Sequence, residues 1–277
     1  MLTVASHGGA HGLGKVRKQL LLLLELGSNI VKDQILYLKI GLQSMQNNNY
    51  HIIVPIKDSL HTAERALRAL KGEPVTIWND NSTDENTILL HQLAKELKFE
   101  CIDVASITDH PSPNYLLLLH TMRERAINNE AHVIIVESDV IVADTTIEQM
   151  LTTANKENIG MVAAITHNDE GVVNFPYEYA TNYPVGAIET RKRLSFCCTL
   201  MTLEMLIRVD FDQLNPEKQW FDVTISKLSR DNGFSNILLT DTPVQHYPHS
   251  SRPWKQLKYT HPLRYYWQKL FYDRDKI

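Results

Sequence analysis

His132-Val133-Ile134-Ile135-Val136-Glu137-Ser138-Asp139 sets the fold class of this chain. After the histidine come four β-branched apolar residues without a polar break, the pattern of a strand buried on both faces in a parallel sheet. In open α/β sheets, ligands collect outside the carboxyl ends of such strands. Two carboxylates flanking a hydroxyl at that end, followed by Val140-Ile141-Val142, are chemistry that packing alone does not call for. Oxygen ligands of this kind suit a hard divalent cation, and such a cation suits a diphosphate.

Upstream of this strand the pattern alternates. Ile52-Ile53-Val54-Pro55-Ile56 reads as a strand, and Ser59 is placed to cap a helix running to about Leu70. Val75-Thr76-Ile77-Trp78 is the next strand, and Ser82 and Glu85 are spaced as a capping box for a helix to about Leu97. A third short strand spans Cys101 to Val104, and a helix covers Asn114 to Asn128. Strands alternating with helices of this length predict an α/β fold with right-handed crossovers. Strand order is not legible from the sequence.

A second acidic signature, Trp78-Asn79-Asp80-Asn81-Ser82-Thr83-Asp84, also ends a strand and opens a helix. A helix N-terminus attracts anions, and an ionised Asp80 there can accept a hydrogen bond from a nucleobase imide N–H. Asp84 reads as a first-turn acid that complements the helix dipole.

Composition narrows the function classes. The chain has 277 residues, 43% of them apolar and 22% charged, ordinary for a globular protein with a sizeable core. A net charge of −4 argues against a general nucleic-acid binder. Cys101, Cys197 and Cys198 form no metal-ligand spacing, and a reduced cytoplasmic setting is the simplest reading. The apolar run Leu20 to Leu24, broken by Glu25, is far shorter than the roughly 20 residues a membrane helix needs. Apolar spacing over 16–26 and 30–45 predicts two helices in an N-terminal extension, residues 1–48. Gly9 to Lys15 resembles a phosphate-binding loop, but Val16 stands where that loop needs Ser or Thr, and the match is set aside.

Ile53 to Asp58, Asn79 to Asp84 and Glu137-Ser138-Asp139 together resemble the successive motifs of family 2 glycosyltransferases. The resemblance spans roughly residues 50 to 250. Phe196 to Leu200 resembles the strand before that family's acceptor-side helix, Arg208 to Asp212 its Gly-Gly-Phe-Asp-Glu segment, and Trp220-Phe221-Asp222-Val223 its Glu-Asp pair. It implies a Rossmann-like GT-A fold over 49–250, with a mostly parallel central sheet flanked by helices. It also implies a metal-dependent, inverting transfer of a sugar from a nucleotide-diphosphate donor, a UDP-sugar by preference. The acceptor would be a hydroxyl of a glycan or lipid-linked molecule, in surface-polysaccharide or glycoconjugate assembly.

Residue by residue, the resemblance puts Pro55, Ile56, Asp58, Asp80 and Ser138 at the nucleotide. It makes Asp139 and Glu137 ligands of Mn2+ or Mg2+, with His246 as a further ligand and His249 in reserve, and Asp222 the general base. Asn79, Asn81, Glu137 and Phe221 depart from the family's usual residues, and with Phe221 in place of glutamate Asp212 is a poorer substitute base. Segment 175–193 is expected to form part of the acceptor wall. Glu137 and Phe221 also keep open an alternative, a non-catalytic sugar-nucleotide-binding or partner-binding module on the same fold.

In the tail, 251–277, seven basic residues from Arg252 onward oppose only Asp273 and Asp275, a net of +5 (7 − 2), with Trp, Tyr and Phe interleaved. That composition suits either a peripheral contact with anionic lipid at the inner face of a membrane or a terminal helix that covers the core.

Overall fold

The computed structural model describes residues 47–217, 220–247 and 261–271. The two helices expected over 16–26 and 30–45, His249 and much of the tail lie outside the described residues.

Nine strands form one sheet among the described residues: β1 (Tyr50–Ile56), β2 (Val75–Asn79), β3 (Glu100–Asp103), β4 (His132–Val136), β5 (Val140–Ile141), β6 (Ile159–His167), β7 (Ala187–Glu189), β8 (Cys198–Met201) and β9 (Ser235–His246). Their order is β3-β2-β1-β4-β8-β6-β9-β5, with β7 paired to β9. From β3 to β4 the sheet is parallel, as the alternation of strands and helices requires. Beyond β4 it is mixed. β8 runs antiparallel to both β4 and β6, while β6 and β9 are parallel.

Among the described residues six helices pack on the sheet, α1 (Leu60–Ala69), α2 (Asp84–Leu97), α3 (Tyr115–Asn128), α4 (Thr146–Ala154), α5 (Leu203–Arg208) and α6 (Phe221–Asp231), and α7 (Pro262–Phe271) comes after β9 in the chain. Two apolar cores result. Ile134 and Val136 of β4 pack with Leu67 of α1, Leu90 of α2 and Met150 of α4. Val133 and Ile135 face the other way, into Leu118 of α3, Met205 of α5 and Ile225 of α6. The unbroken apolar run of β4 thus reflects a strand that alternates between two cores, with all five residues buried.

Two expected helix caps are corrected. Ser59 sits at the N-cap of α1 but makes no side-chain capping bond, because its Oγ faces Ser138 Oγ at 3.0 Å. The cap of α2 is Thr83, whose Oγ1 accepts from Asn86 N, rather than Ser82. Ser82 Oγ instead accepts from the backbone N–H of Asp58 at 3.1 Å.

Helix α6 meets the sheet through small and polar residues. Ser229 Oγ donates to Asn236 Oδ1 of β9 at 2.7 Å, and Asn236 Nδ2 donates to the Ser226 carbonyl at 2.8 Å. Ser226 Oγ accepts from Leu194 N at 2.9 Å, and Ser226, Ser229 and Asn236 are all buried. Gly160 of β6 lies beneath this helix, where an added Cβ would stand 2.2 Å from Ser229 Oγ and 2.7 Å from Phe234 Cβ. The first of these atoms is already committed to Asn236 and cannot swing away freely. Replacing Gly160 with Ala should therefore cost about 1–3 kcal/mol, the usual effect of overpacking. A lowered urea midpoint at unchanged slope is the expected result.

Candidate functional site

The carboxyl end of β4 is where the functional side chains gather. Past Val136 the chain turns, with Val140 N donating to the Glu137 carbonyl at 3.0 Å, and re-enters the sheet as β5. β5 pairs with the last residues of β9, placing Val140 opposite His246, and Tyr247 N donates to the Asp139 carbonyl at 2.9 Å. That pairing brings His246 Nε2 to 3.5 Å from Asp139 Oδ2, with both side chains buried. His246 Nδ1 faces the Phe175 carbonyl at 2.6 Å. Burial disfavours the imidazolium, but the hydrogen bond and charge of Asp139, the charge of Glu137 and the Phe175 carbonyl together hold its pKa above the usual histidine range.

Because β8 is reversed, its start lies against the end of β4. Glu137 N donates to the Cys197 carbonyl at 2.9 Å, and Cys197 Sγ is 3.7 Å from Glu137 Oε2. Burial, with the charges of Asp139 and Asp222, raises Glu137 to about 7, against the opposing effect of His246 and the Cys197 contact. One ligand atom each from Glu137, Cys197 and His246 lies within 4.8 Å of the others. A carboxylate, an imidazole and a thiol thus converge as a group that could hold a divalent ion, and Asp139 adjoins that group through His246.

Asp222 stands in the first turn of α6, whose laced contact with β9 fixes its position. Its Oδ1 accepts from Val223 N at 2.9 Å, and its Oδ2 is 3.3 Å from Arg193 Nη1. The Arg193 guanidinium lies 5.8 Å from the Phe175 ring and 5.9 Å from the Trp220 ring. Tyr115, at the start of α3, stacks on Phe196 and Phe221 at 5.8 Å and 6.4 Å. Its pKa is raised by burial and by the charges of Glu137 and Asp222. Its hydroxyl is buried without a hydrogen-bond partner among the described residues, a group that an oxygen-bearing ligand would satisfy.

The remaining residues read from the sequence are placed differently. Asp80 is largely spent on holding the loop that leads into α3. Its Oδ2 accepts from Ser112 Oγ at 2.7 Å and Asn114 N at 2.9 Å, and its Oδ1 from Asn114 Nδ2 at 2.8 Å. Asp58, in a left-handed conformation with φ 49°, braces the start of α2: its Oδ1 accepts from Thr83 N at 2.7 Å and Asn86 Nδ2 at 3.1 Å. The Thr83 bond leads the effects that hold its pKa below the usual carboxylate range. Ile56 is a core residue whose carbonyl accepts from Asp80 N, and Pro55 has no N–H to offer. Ser138 is buried on Ser59. Asp212 is 87% exposed beside His120. In segment 175–193, Tyr177 is fully buried and bonded to the Ser195 backbone, whereas Phe175 is exposed next to His246.

Cys197 and Arg193 fall within segments read from the sequence, but neither they nor Tyr115 are singled out there as site residues. Each reaches the cluster from an element remote in sequence, and only the spatial pairing of β4 with β8 and of Arg193 with α6 reveals them.

No protein-family model and no curated protein sequence matches the chain. Among solved structures, S. aureus TarS 1-349 matches with a TM-score of 0.54 at 16% identity, over 72% of this chain and 60% of that one. The same protein in complex with UDP-GlcNAc gives 0.53 at 17%, over 74% and 60%. GalNAc-T7 with UDP, GalNAc and Mn2+ gives 0.52 at 11%, over 73% and 44%. The chain thus spans 44–60% of the length of these structures. The likeness establishes the fold, a GT-A-like α/β arrangement with a curled central sheet.

The raised pKa values at the cluster make stability depend on pH in a stated sense. Between about 4.5 and about 7 the folded state keeps a proton on Glu137 that the unfolded chain has lost, so stability falls as pH rises through that window. His246 acts in the same sense, its stabilising charge being lost as pH rises through its raised pKa. In chelator, the stability gap between Glu137→Gln and wild type should therefore move in favour of the variant from about pH 5 to about pH 8, read from urea midpoints. A gap independent of pH would contradict the assignment.

Proposed function

We propose that this protein transfers a sugar, with inversion, from a nucleotide-diphosphate donor to a hydroxyl of a glycan or lipid-linked acceptor. The observation that carries this reading is the convergence of Glu137, Asp139, His246 and Asp222 at the end of β4, on a fold shared with structures holding UDP, UDP-GlcNAc and Mn2+. A UDP-sugar is the preferred donor because both neighbours were solved with uridine nucleotides.

In this reading Asp139, Glu137 and His246 hold a divalent cation, Mn2+ or Mg2+. Such an ion, when bound, offsets the charge that develops on a departing nucleoside diphosphate. Asp222 accepts the proton of the attacking hydroxyl from the acceptor side, with the N-terminal turn of α6 fixing its direction. Tyr115 offers its unpaired hydroxyl to a substrate oxygen between Glu137 and Asp222. Asp80 keeps acceptor capacity for a nucleobase imide, since a carboxylate has about four lone-pair sites and three bonds are made here. Its main contribution is to seat the loop before α3.

The tail is proposed as a peripheral membrane contact on the acceptor side. Leu263, Tyr266 and Trp267 of α7 are exposed, at 89%, 58% and 52%, while Tyr265 is buried. No helix among the described residues is long and apolar enough to cross a membrane.

One observation favours the alternative of a binding module without turnover. Asp222 is paired with Arg193, whose guanidinium holds the carboxylate oxygen at 3.3 Å. The acceptor would have to loosen this pair.

Two measurements test the proposal. UDP with Mn2+ at about 100 times its dissociation constant should stabilise the protein by about 2.7 kcal/mol in thermal unfolding, and Asp139→Ala should abolish the effect. Failure of every nucleoside diphosphate to stabilise the protein would exclude the donor site. Once an acceptor is found, Asp222→Asn should lower kcat by about 10²–10⁴-fold while leaving donor binding intact. Undiminished turnover in that variant would remove Asp222 from the mechanism, and donor binding without turnover on any acceptor would favour the binding module.

A further inference from the structure

The structure assigns Cys197 as a ligand of the metal site alongside Glu137 and His246, and hence the site to a thiophilic divalent ion of the zinc, cobalt or iron(II) class rather than to magnesium. This inference rests on the reading of the Glu137–Asp139–His246 cluster as a metal centre and goes beyond it.

Cys197 and Cys198 are neighbours at the start of one strand, and their surroundings differ. Cys198 Sγ packs on Met150 Sδ at 3.7 Å, inside the apolar core. Cys197 Sγ faces polar atoms, Glu137 Oε2 at 3.7 Å and Ser195 Oγ at 3.5 Å. It is 1% exposed and shares the apolar core with Cys198, and its thiol is what turns to these polar atoms. A small apolar residue would fill the same volume without placing a thiol against a carboxylate.

The geometry matches a chelating set. Glu137, Cys197 and His246 each offer one atom within 4.8 Å of the others, and His246 is 3.5 Å from Asp139. Three elements fix these residues independently: the end of β4, the start of β8 and the end of β9. Their arrangement does not rely on a flexible loop. A ligand set of one sulfur, one nitrogen and carboxylate oxygens suits zinc and its neighbours, whereas magnesium demands oxygen ligands in near-octahedral geometry and keeps several waters. Binding is balanced as a proton exchange. The S–H bond breaks, sulfur binds the ion as thiolate, and the proton leaves to solvent, so uptake of the ion releases acid.

Cobalt(II) titration of the chelator-stripped full chain tests this, because a cobalt–thiolate bond gives an intense near-ultraviolet charge-transfer band. The titration is done in a Cys101→Ser background, since Cys101 forms a second group with His91 and Asp103 within 4.8 Å at the far edge of the sheet. The band is expected there, retained on adding Cys198→Ser, and lost on adding Cys197→Ser. Replacing Cys197 should also lower the preference for Zn2+ over Mn2+ by about tenfold or more in competitive titration. Cys197→Asp, which keeps an anionic ligand, should still bind cobalt but without the band. Cobalt bound at Asp139, shown by loss of binding in Asp139→Ala, without a thiolate band in the otherwise unaltered site would overturn the inference and leave the proposed transferase standing. Absence of any divalent-ion binding would overturn both.

Discussion

Three carboxylates share the buried end of β4, and like charges held this close in an apolar setting cannot all remain ionised without compensation. Glu137 bears the effect most plainly, its pKa lifted to about 7 by burial and by the charges of Asp139 and Asp222. His246 answers with a raised pKa, and Arg193 answers Asp222. A protein that needed only stability would dilute this charge. Keeping it concentrated makes sense where a cation and a substrate complete the balance, and the surrounding architecture is the means of holding it together.

That architecture turns on the reversal of a single strand. A parallel sheet offers only carboxyl ends at one edge of the molecule, and so only one kind of loop. Inserting β8 antiparallel between β4 and β6 brings an incoming chain to the same edge, which is how Cys197 comes to lie against Glu137. The short β5 then closes on the end of β9, which carries His246. The second half of the sheet thus brings Cys197 and His246 against carboxylates that follow the parallel half.

What could be read in the sequence follows from the range of the interactions concerned. The run from Val133 to Val136 is local, and its β-branched residues specify a doubly covered strand whatever surrounds it. The placement of Glu137 and Asp139 at that strand's end follows directly. Asp80 was legible as a strand-end carboxylate, yet its partners Ser112 and Asn114 lie more than thirty residues away, and no pattern near Asp80 reports that they occupy it. Ser59 has the right residue type for a helix cap, but a tertiary contact with Ser138 outcompetes that use. Cysteine spacing says nothing about Cys197, because its neighbours come from strands paired across the fold. The order of the strands was hidden for the same reason: the reversal of β8 depends on which edges meet, and a short buried stretch such as Thr199-Leu200-Met201 suits either direction.

The close seat of α6 on β6 carries a consequence for divergence. Gly160, Ser229 and Phe234 occupy one volume, and Ser229 is also tied to Asn236. No one of these positions can grow without another shrinking or turning. Over evolutionary time they should therefore change together, and a descendant that accepts a side chain at 160 must compensate at 229 or 234. Since α6 carries Asp222, such a compensation would keep the first turn of the helix in register with the end of β4. Covariation of this trio would in that case record selection on the seat of α6.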